Sequence, residues 1–119
     1  MILEIPRIPP SPNYLLSKHW RYRHRNSQLW KHEIGVALYQ AGYRDRIPYP
    51  KAKVNIERRS RGGRGLDPDN LVGSVKPVLD GLRYAQVLLD DSPDHIELTV
   101  TQSRGPALTR IHIEPIGVS

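Results

Sequence analysis

Cysteine is absent from the 119 residues of this chain. That excludes disulfide frameworks, thiolate zinc sites and cysteine nucleophiles, and leaves no argument for an oxidising compartment. Long apolar runs are missing too: no stretch approaches the ~18 residues a membrane-spanning helix needs, and the apolar part of Met1 to Pro10 is too short for a signal peptide. The expected address is the cytoplasm, with no membrane partner. Acidic residues are scarce in one part only. Residues 1–66 carry 14 Lys and Arg against Glu4, Glu33, Asp45 and Glu57, whereas residues 67–119 carry four basic and eight acidic residues. The net charge of +6 therefore conceals +10 beside −4. Such asymmetry implies a surface that attracts a polyanion next to a separate acidic cluster, although a solvated basic face without a ligand accounts for the charge equally well. The length suits one soluble globular domain, residues 1–119.

Ile2 to Ile8 is β-branched and apolar enough for a strand, ended by the Pro9-Pro10-Ser11-Pro12 cluster and a rigid loop. Tyr14 to Arg25 is aromatic and basic without clean periodicity, and reads as irregular or as a short strand. Asn26 or Ser27 can cap a helix whose apolar residues Leu29, Trp30, Ile34, Ala37 and Leu38 recur at helical spacing, with Gly42 placed to end it. Val54 and Ile56 alternate in a strand over Lys53 to Glu57, which runs into a basic, glycine-rich stretch, Arg58 to Gly65, expected to be mobile. A second helix is expected from Asp69 or Asn70 to about Tyr84, kinked or split because Pro77 has no N–H to bond back to Gly73. A short strand at Val87 to Leu89 follows. Ile96, Leu98 and Val100, a Gly105-Pro106 turn, then Leu108, Ile111 and Ile113 read as an antiparallel hairpin. The order β-α-β-α-β-β-β predicts an α/β (α+β) fold, a mixed sheet covered by two main helices.

Asp67-Pro68-Asp69-Asn70 packs two carboxylates and an amide into four residues, and Asp90-Asp91 adds another pair twenty residues on. Adjacent carboxylates repel unless a cation neutralises them, and grouped hard oxygens suit Mg²⁺ or Mn²⁺. If the tripeptide around Pro68 is extended, Asp67 and Asp69 project the same way and can share one ion. Taken alone, the same run is also a common turn and helix cap. At about 100° per residue, Gly73, Lys76, Asp80 and Arg83 fall in one stripe with Asp69, opposite a core face of Leu71, Val72, Val75, Val78, Leu79 and Leu82. Lys76 and Asp80, four apart, also suit a plain surface ion pair.

Clustered carboxylates and a lysine beside a basic surface match the needs of metal-assisted phosphodiester hydrolysis. The metal generates hydroxide and polarises the phosphoryl oxygen, while lysine offsets charge in the transition state. The basic part would hold the backbone through Asn13, Lys18, Arg21, Arg23, Arg25, Arg58, Arg59, Arg61 and Arg64, with Tyr14, Trp20 and Tyr22 available to stack on exposed bases or simply to pack. His19, His24, His32, His95 and His112 share no metal spacing and read as structural or surface residues. Walker, Rossmann and nucleophile-elbow motifs are absent.

Asp67-Pro-Asp-Asn-Leu71, Lys76, Asp80-Gly-Leu82, Asp90-Asp91-Ser92 and Pro9-Pro10-Ser11-Pro12-Asn13 together resemble the RusA family of Holliday junction resolvases. The resemblance covers most of the chain. It implies a RusA-like domain in a small homodimeric endonuclease that needs Mg²⁺ (Mn²⁺ is the alternative) and makes paired, symmetric nicks in four-way DNA junctions, in recombination and repair. Carried over by position, Asp67, Asp69 and Asp91 would be metal ligands and catalytic residues, Lys76 the catalytic lysine, and Asn70, Asp80 and Asp90 supporting groups. Lys76 stands six residues beyond Asn70, farther than in the family, which reads as an insertion of about one helical turn. Gln86 stands where the family places a glycine, and Gly65-Leu66 interrupts the basic run, leaving Arg64 nearest. Two other classes stay open on the residues alone: a basic nucleic-acid-binding protein without catalysis, and a protein-interaction domain without DNA affinity.

Overall fold

The computed structural model describes residues 1–43, 47–62 and 65–117. Strand β1 (Ile2–Ile5) leads to a short helix α1 (Pro12–Leu16) and the long helix α2 (Trp20–Gln40). Strand β2 (Ala52–Ser60), helices α3 (Pro68–Ser74) and α4 (Lys76–Tyr84), and strands β3 (Ile96–Arg104) and β4 (Leu108–Pro115) complete the order. The four strands form a mixed sheet in the order β1-β4-β2-β3. The expected class, a mixed sheet with helices against it, is what the chain adopts.

Alternation sets the buried face. Ala52, Val54 and Ile56 point inward from β2 while Lys53 and Asn55 point out, and Leu3, Ile111, Ile56 and Val100 stand side by side across the four strands. Against this face α2 places Trp30, Ile34 and Leu38, and α4 places Val78, Leu79 and Leu82. Val72 departs from the expected core face and is half exposed at 52%. The two helices meet closely at Gly81, where an added Cβ would stand 2.5 Å from Ile34 Cδ1 and 3.4 Å from the Trp30 carbonyl.

The hairpin expected from the last two strands does not form. β3 pairs in parallel with β2, β4 pairs antiparallel with β2 on its other side, and the three residues Gly105 to Ala107 cross over the end of β2. Gly105 carries the crossing: its N–H donates to the Ser60 carbonyl, and a Cβ there would meet Arg59 Cδ at 2.7 Å. Local alternation specifies strands but not their neighbours, and β2 supplies an apolar partner row for each.

α2 begins at Trp20, seven or eight residues before the expected start. Neither Asn26 nor Ser27 caps it: His19 is the N-cap, its Nδ1 accepting from the Arg21 N–H at 3.2 Å. The buried residues of α2 lie in its second half, so its basic first half has no apolar period to read. That half is continued from a turn already anchored in the core. Ser11 caps α1 and Pro12 sits at its first position, so the proline cluster starts a helix where a loop was expected.

The second predicted helix is split as Pro77 requires, with Val75 between α3 and α4. Gly42 at φ 82° ends α2, with Tyr43 N–H returning to the Leu38 carbonyl. α4 ends in the same way with a non-glycine: Gln86 takes φ 61°, its N–H bonds the Arg83 carbonyl, and Val87 N–H bonds the Leu82 carbonyl. Val87 to Leu89 forms one isolated bridge, Leu88 to Tyr49, in place of the expected strand. The stretch Arg58 to Ser60, expected to be mobile, is the end of β2. Among the described residues no helix is long and apolar enough to cross a membrane.

Candidate active site

Lys76 opens α4, and Asp91 lies beyond that helix, past the turn that Gln86 makes. The fold brings the two together: Lys76 Nζ stands 3.0 Å from Asp91 Oδ2 and 3.1 Å from Asp80 Oδ1. Arg83 Nη1 reaches Asp91 Oδ1 at 3.4 Å, and its Nε lies 3.9 Å from Asp90 Oδ1. Asp90 Oδ2 is 3.7 Å from His95 Nδ1, which also contacts the Ser92 hydroxyl at 2.9 Å. Three of the four stripe positions, Lys76, Asp80 and Arg83, thus line one side of α4; Lys76 and Arg83 meet the Asp90-Asp91 turn, and Asp80 joins through Lys76.

The charges hold one another ionised. The Lys76 ammonium keeps the Asp91 carboxyl below the usual carboxylate range, more by its hydrogen bond than through space, and Arg83 adds to this. The hydrogen bond to Asp91 raises the Lys76 ammonium above the usual lysine value, burial works against it, and Asp80 adds to the rise. Asp91 is the least exposed of these side chains at 15%.

Asp67 and Asp69 are arranged differently. Asp67 is the N-cap of α3: Oδ1 accepts from the Asn70 backbone N–H at 2.9 Å and Oδ2 from Asn70 Nδ2 at 3.0 Å. Those bonds, the backbone one foremost, hold its carboxyl below the usual range. Asp69 is exposed in the first helical turn. The tripeptide around Pro68 is not extended throughout, because Pro68 already begins the helix and Asp67 turns onto the helix end, so the two carboxylates do not project as a matched pair.

In the arrangement seen, Asp67, Asp69 and Asp91 are not gathered around one point as ligands of a single divalent cation. Their oxygens are of the right chemical kind, yet Asp67 closes on Asn70, Asp91 is held by two cationic side chains, and among the described residues no three His, Asp or Glu side chains are grouped to hold a metal ion.

The basic residues occupy two regions. Lys18 lies over the Tyr14 ring at 4.8 Å, Tyr14 packs edge-on against Tyr22, and Arg21 covers Trp20 at 5.5 Å. Trp20, Arg21, Tyr22, Arg23 and Arg25 lie in the first half of α2, Asn13 and Tyr14 in α1, and Lys18 between the two helices. At the end of β2, Arg58 is partly committed to the fold: its Nε donates to the Pro9 carbonyl at 3.0 Å, and burial pushes its guanidinium down. Arg59 pairs with Glu57 at 3.5 Å, and Arg61 is exposed just past the strand. Arg64 lies outside the described residues.

The sequence placed Arg83 on the helix face of Lys76, seven residues on, without a role, and one participant, His95, escaped it altogether. Nothing in the sequence separates His95 from the other histidines. No protein-family model matches the chain, and no curated protein matches it significantly.

Proposed function

We propose that this chain is a structure-selective endodeoxyribonuclease that resolves four-way DNA junctions by paired nicks, acting as a cytoplasmic homodimer. One observation carries the reading: Lys76, Asp80 and Asp91, separate parts of the RusA-like motif set, converge on one ammonium within 3.1 Å. The basic, aromatic first half of α2 supports it by offering a sequence-independent phosphate surface. A four-way junction has near two-fold symmetry, so two identical subunits place two identical sites most simply.

The chain's own residues suggest how the site works. The Lys76 ammonium, kept protonated by its carboxylates, can offset negative charge building on a phosphoryl group, and Arg83 beside it can do the same. Asp91 aims Lys76, and the Asp67 cap fixes the start of α3. Mg²⁺, with Mn²⁺ as the alternative, enters from the resemblance alone.

The decisive assay is cleavage of a labelled four-way junction and a matched duplex with Mg²⁺ or EDTA. Paired nicks on the junction alone, lost in EDTA and in Asp91→Asn and Asp69→Asn while binding persists, are the expected result. Metal-dependent cleavage preserved in both variants would overturn the assignment. The second reading, a DNA binder without catalysis, is favoured by the use of both Asp67 oxygens on Asn70, one in the helix cap and one on its side-chain amide. It is the outcome if wild-type protein binds junctions in a salt-sensitive manner and never nicks them.

A further inference from the structure

A cleft of about 410 Å³ opens between α2 and α4, lined by Ser27 and Lys31 on one side and Asp80, Arg83, Tyr84 and Leu89 on the other. Its volume lies in the range of small-molecule sites, roughly 300–1,000 Å³, large enough for one nucleotide. Its apolar surface is open to solvent: Tyr84 is 71% exposed and Leu89 58%. Its rim carries two cations, Lys31 and Arg83, beside the carboxylate of Asp80. Lys31 Nζ lies 4.9 Å over the Tyr84 ring, so a base stacking on that face takes the place of the ammonium and turns it toward a neighbouring phosphate, and Arg83 reaches from the cleft to Asp90 and Asp91.

Two further features give the cleft a direction. In α2, Arg23, Ser27, Trp30, Ile34 and Leu38 follow at three- and four-residue spacing, so the row that packs on the core changes to polar and basic as it leaves the core. That row leads from Arg23 into the cleft at Ser27. At its other side Asp80 belongs to the cleft and also holds the Lys76 ammonium, itself 3.0 Å from Asp91. A group in the cleft is therefore a neighbour of the proposed scissile site.

We infer that this cleft takes one unstacked nucleobase from the branch point, with Tyr84 as its stacking surface and Lys31 and Arg83 contacting the flanking phosphates. The inference rests on the DNA-cleaving reading above and supplies its selectivity. A base inside a duplex is covered on both faces and cannot enter a concave site, whereas bases at a branch give up their stacking more easily. An aromatic ring takes any base, because every base has a π-face, and cations at the rim match the phosphates on either side. The cleft thus reads branching and not sequence.

The test compares junction and duplex affinity, in EDTA, for wild type, Tyr84→Leu and Tyr84→Trp. Tyr84→Leu is expected to lower the ratio of junction to duplex affinity roughly 5- to 150-fold, the usual worth of one base–aromatic stack, and Tyr84→Trp to restore it. A ratio within twofold of wild type in Tyr84→Leu overturns the inference and leaves the nuclease reading standing. A wild-type ratio near one overturns junction selectivity itself. Sedimentation runs alongside: if Tyr84→Leu turns a dimer into a monomer, the cleft belongs to a second copy of the chain and the base-binding assignment falls.

Discussion

Gly81 sits inside the motif Asp80-Gly81-Leu82 and sets how closely α4, with Lys76, Asp80 and Arg83, approaches α2. Replacing it by alanine brings two opposing effects. Alanine gains about 1 kcal/mol of helix propensity over glycine. Its methyl would stand 2.5 Å from Ile34 Cδ1, in a core where Ile34 is 0% exposed, and overpacking of that kind costs about 1–3 kcal/mol. The net expectation for Gly81→Ala is a loss between zero and about 2 kcal/mol. Ile34→Val removes the offending methyl and by itself costs about 0.5–1.5 kcal/mol. In the double variant the clash is gone and the propensity gain remains. It should be nearly as stable as wild type and more stable than the two single losses predict, by about 1–3 kcal/mol. Denaturant unfolding of the four proteins, read at constant m-value, measures this coupling. Losses that add to within about 0.5 kcal/mol would show that Gly81 and Ile34 do not compete for one space, and would refute the packing account of the motif glycine.

Gln86→Gly should stabilise the fold by about 0.5–1 kcal/mol, since a left-handed non-glycine costs about 1–2 kcal/mol and glycine returns part of that as entropy; unchanged or lower stability in thermal unfolding would contradict the strain. The pair between Lys76 and Asp91 should contribute below about 1 kcal/mol, because Lys76 is 60% exposed. The Asp91 contribution is present above the ordinary carboxylate value and fades as pH falls through its lowered folded value, whereas the Lys76 contribution is lost as pH rises through its raised folded value. Stability against pH should therefore fall less steeply on the acid side in Lys76→Met than in wild type, and identical slopes would sink the pairing. Asp67→Asn should keep more stability than Asp67→Ala, since the amide oxygen still accepts from the Asn70 N–H; equal losses would remove the cap from the account. Changing Arg21, Arg23 and Arg25 to Gln should flatten the dependence of log DNA affinity on log salt by about 0.9 for each phosphate no longer neutralised, and an unchanged slope would place the phosphate surface elsewhere.

Where a residue's role is decided by neighbours a few positions away, the sequence showed it. The alternation in β2 and β3, the break at Pro77 and the end of α2 at Gly42 are of this kind. So is the shared helix face of Lys76, Asp80 and Arg83. The start of α2 was hidden because its first half buries little, and a polar helix leaves no period. Strand order was hidden because β2 fits between β3 and β4 for reasons that neither strand's own pattern contains. Asp67 illustrates the limit best. The Asp-Pro-Asp spacing allowed a shared ion or a helix cap, and the choice turned on whether Pro68 was extended or helical, a matter of φ and ψ that the spacing does not set.

Because β4 is an inner strand although it follows the others in the chain, the sheet remains gapped until the segment after Gly105 has been made. β1 then has no neighbour, and β2 has a partner along one edge only. The rows that carry Leu3, Ile5, Val54 and Ile56 stay uncovered along that gap while the nascent chain emerges. Closure is a late, long-range insertion between two waiting strands, so folding should be slow for a protein of this size. The open slot also offers β1 and β2 to any other extended chain at that stage.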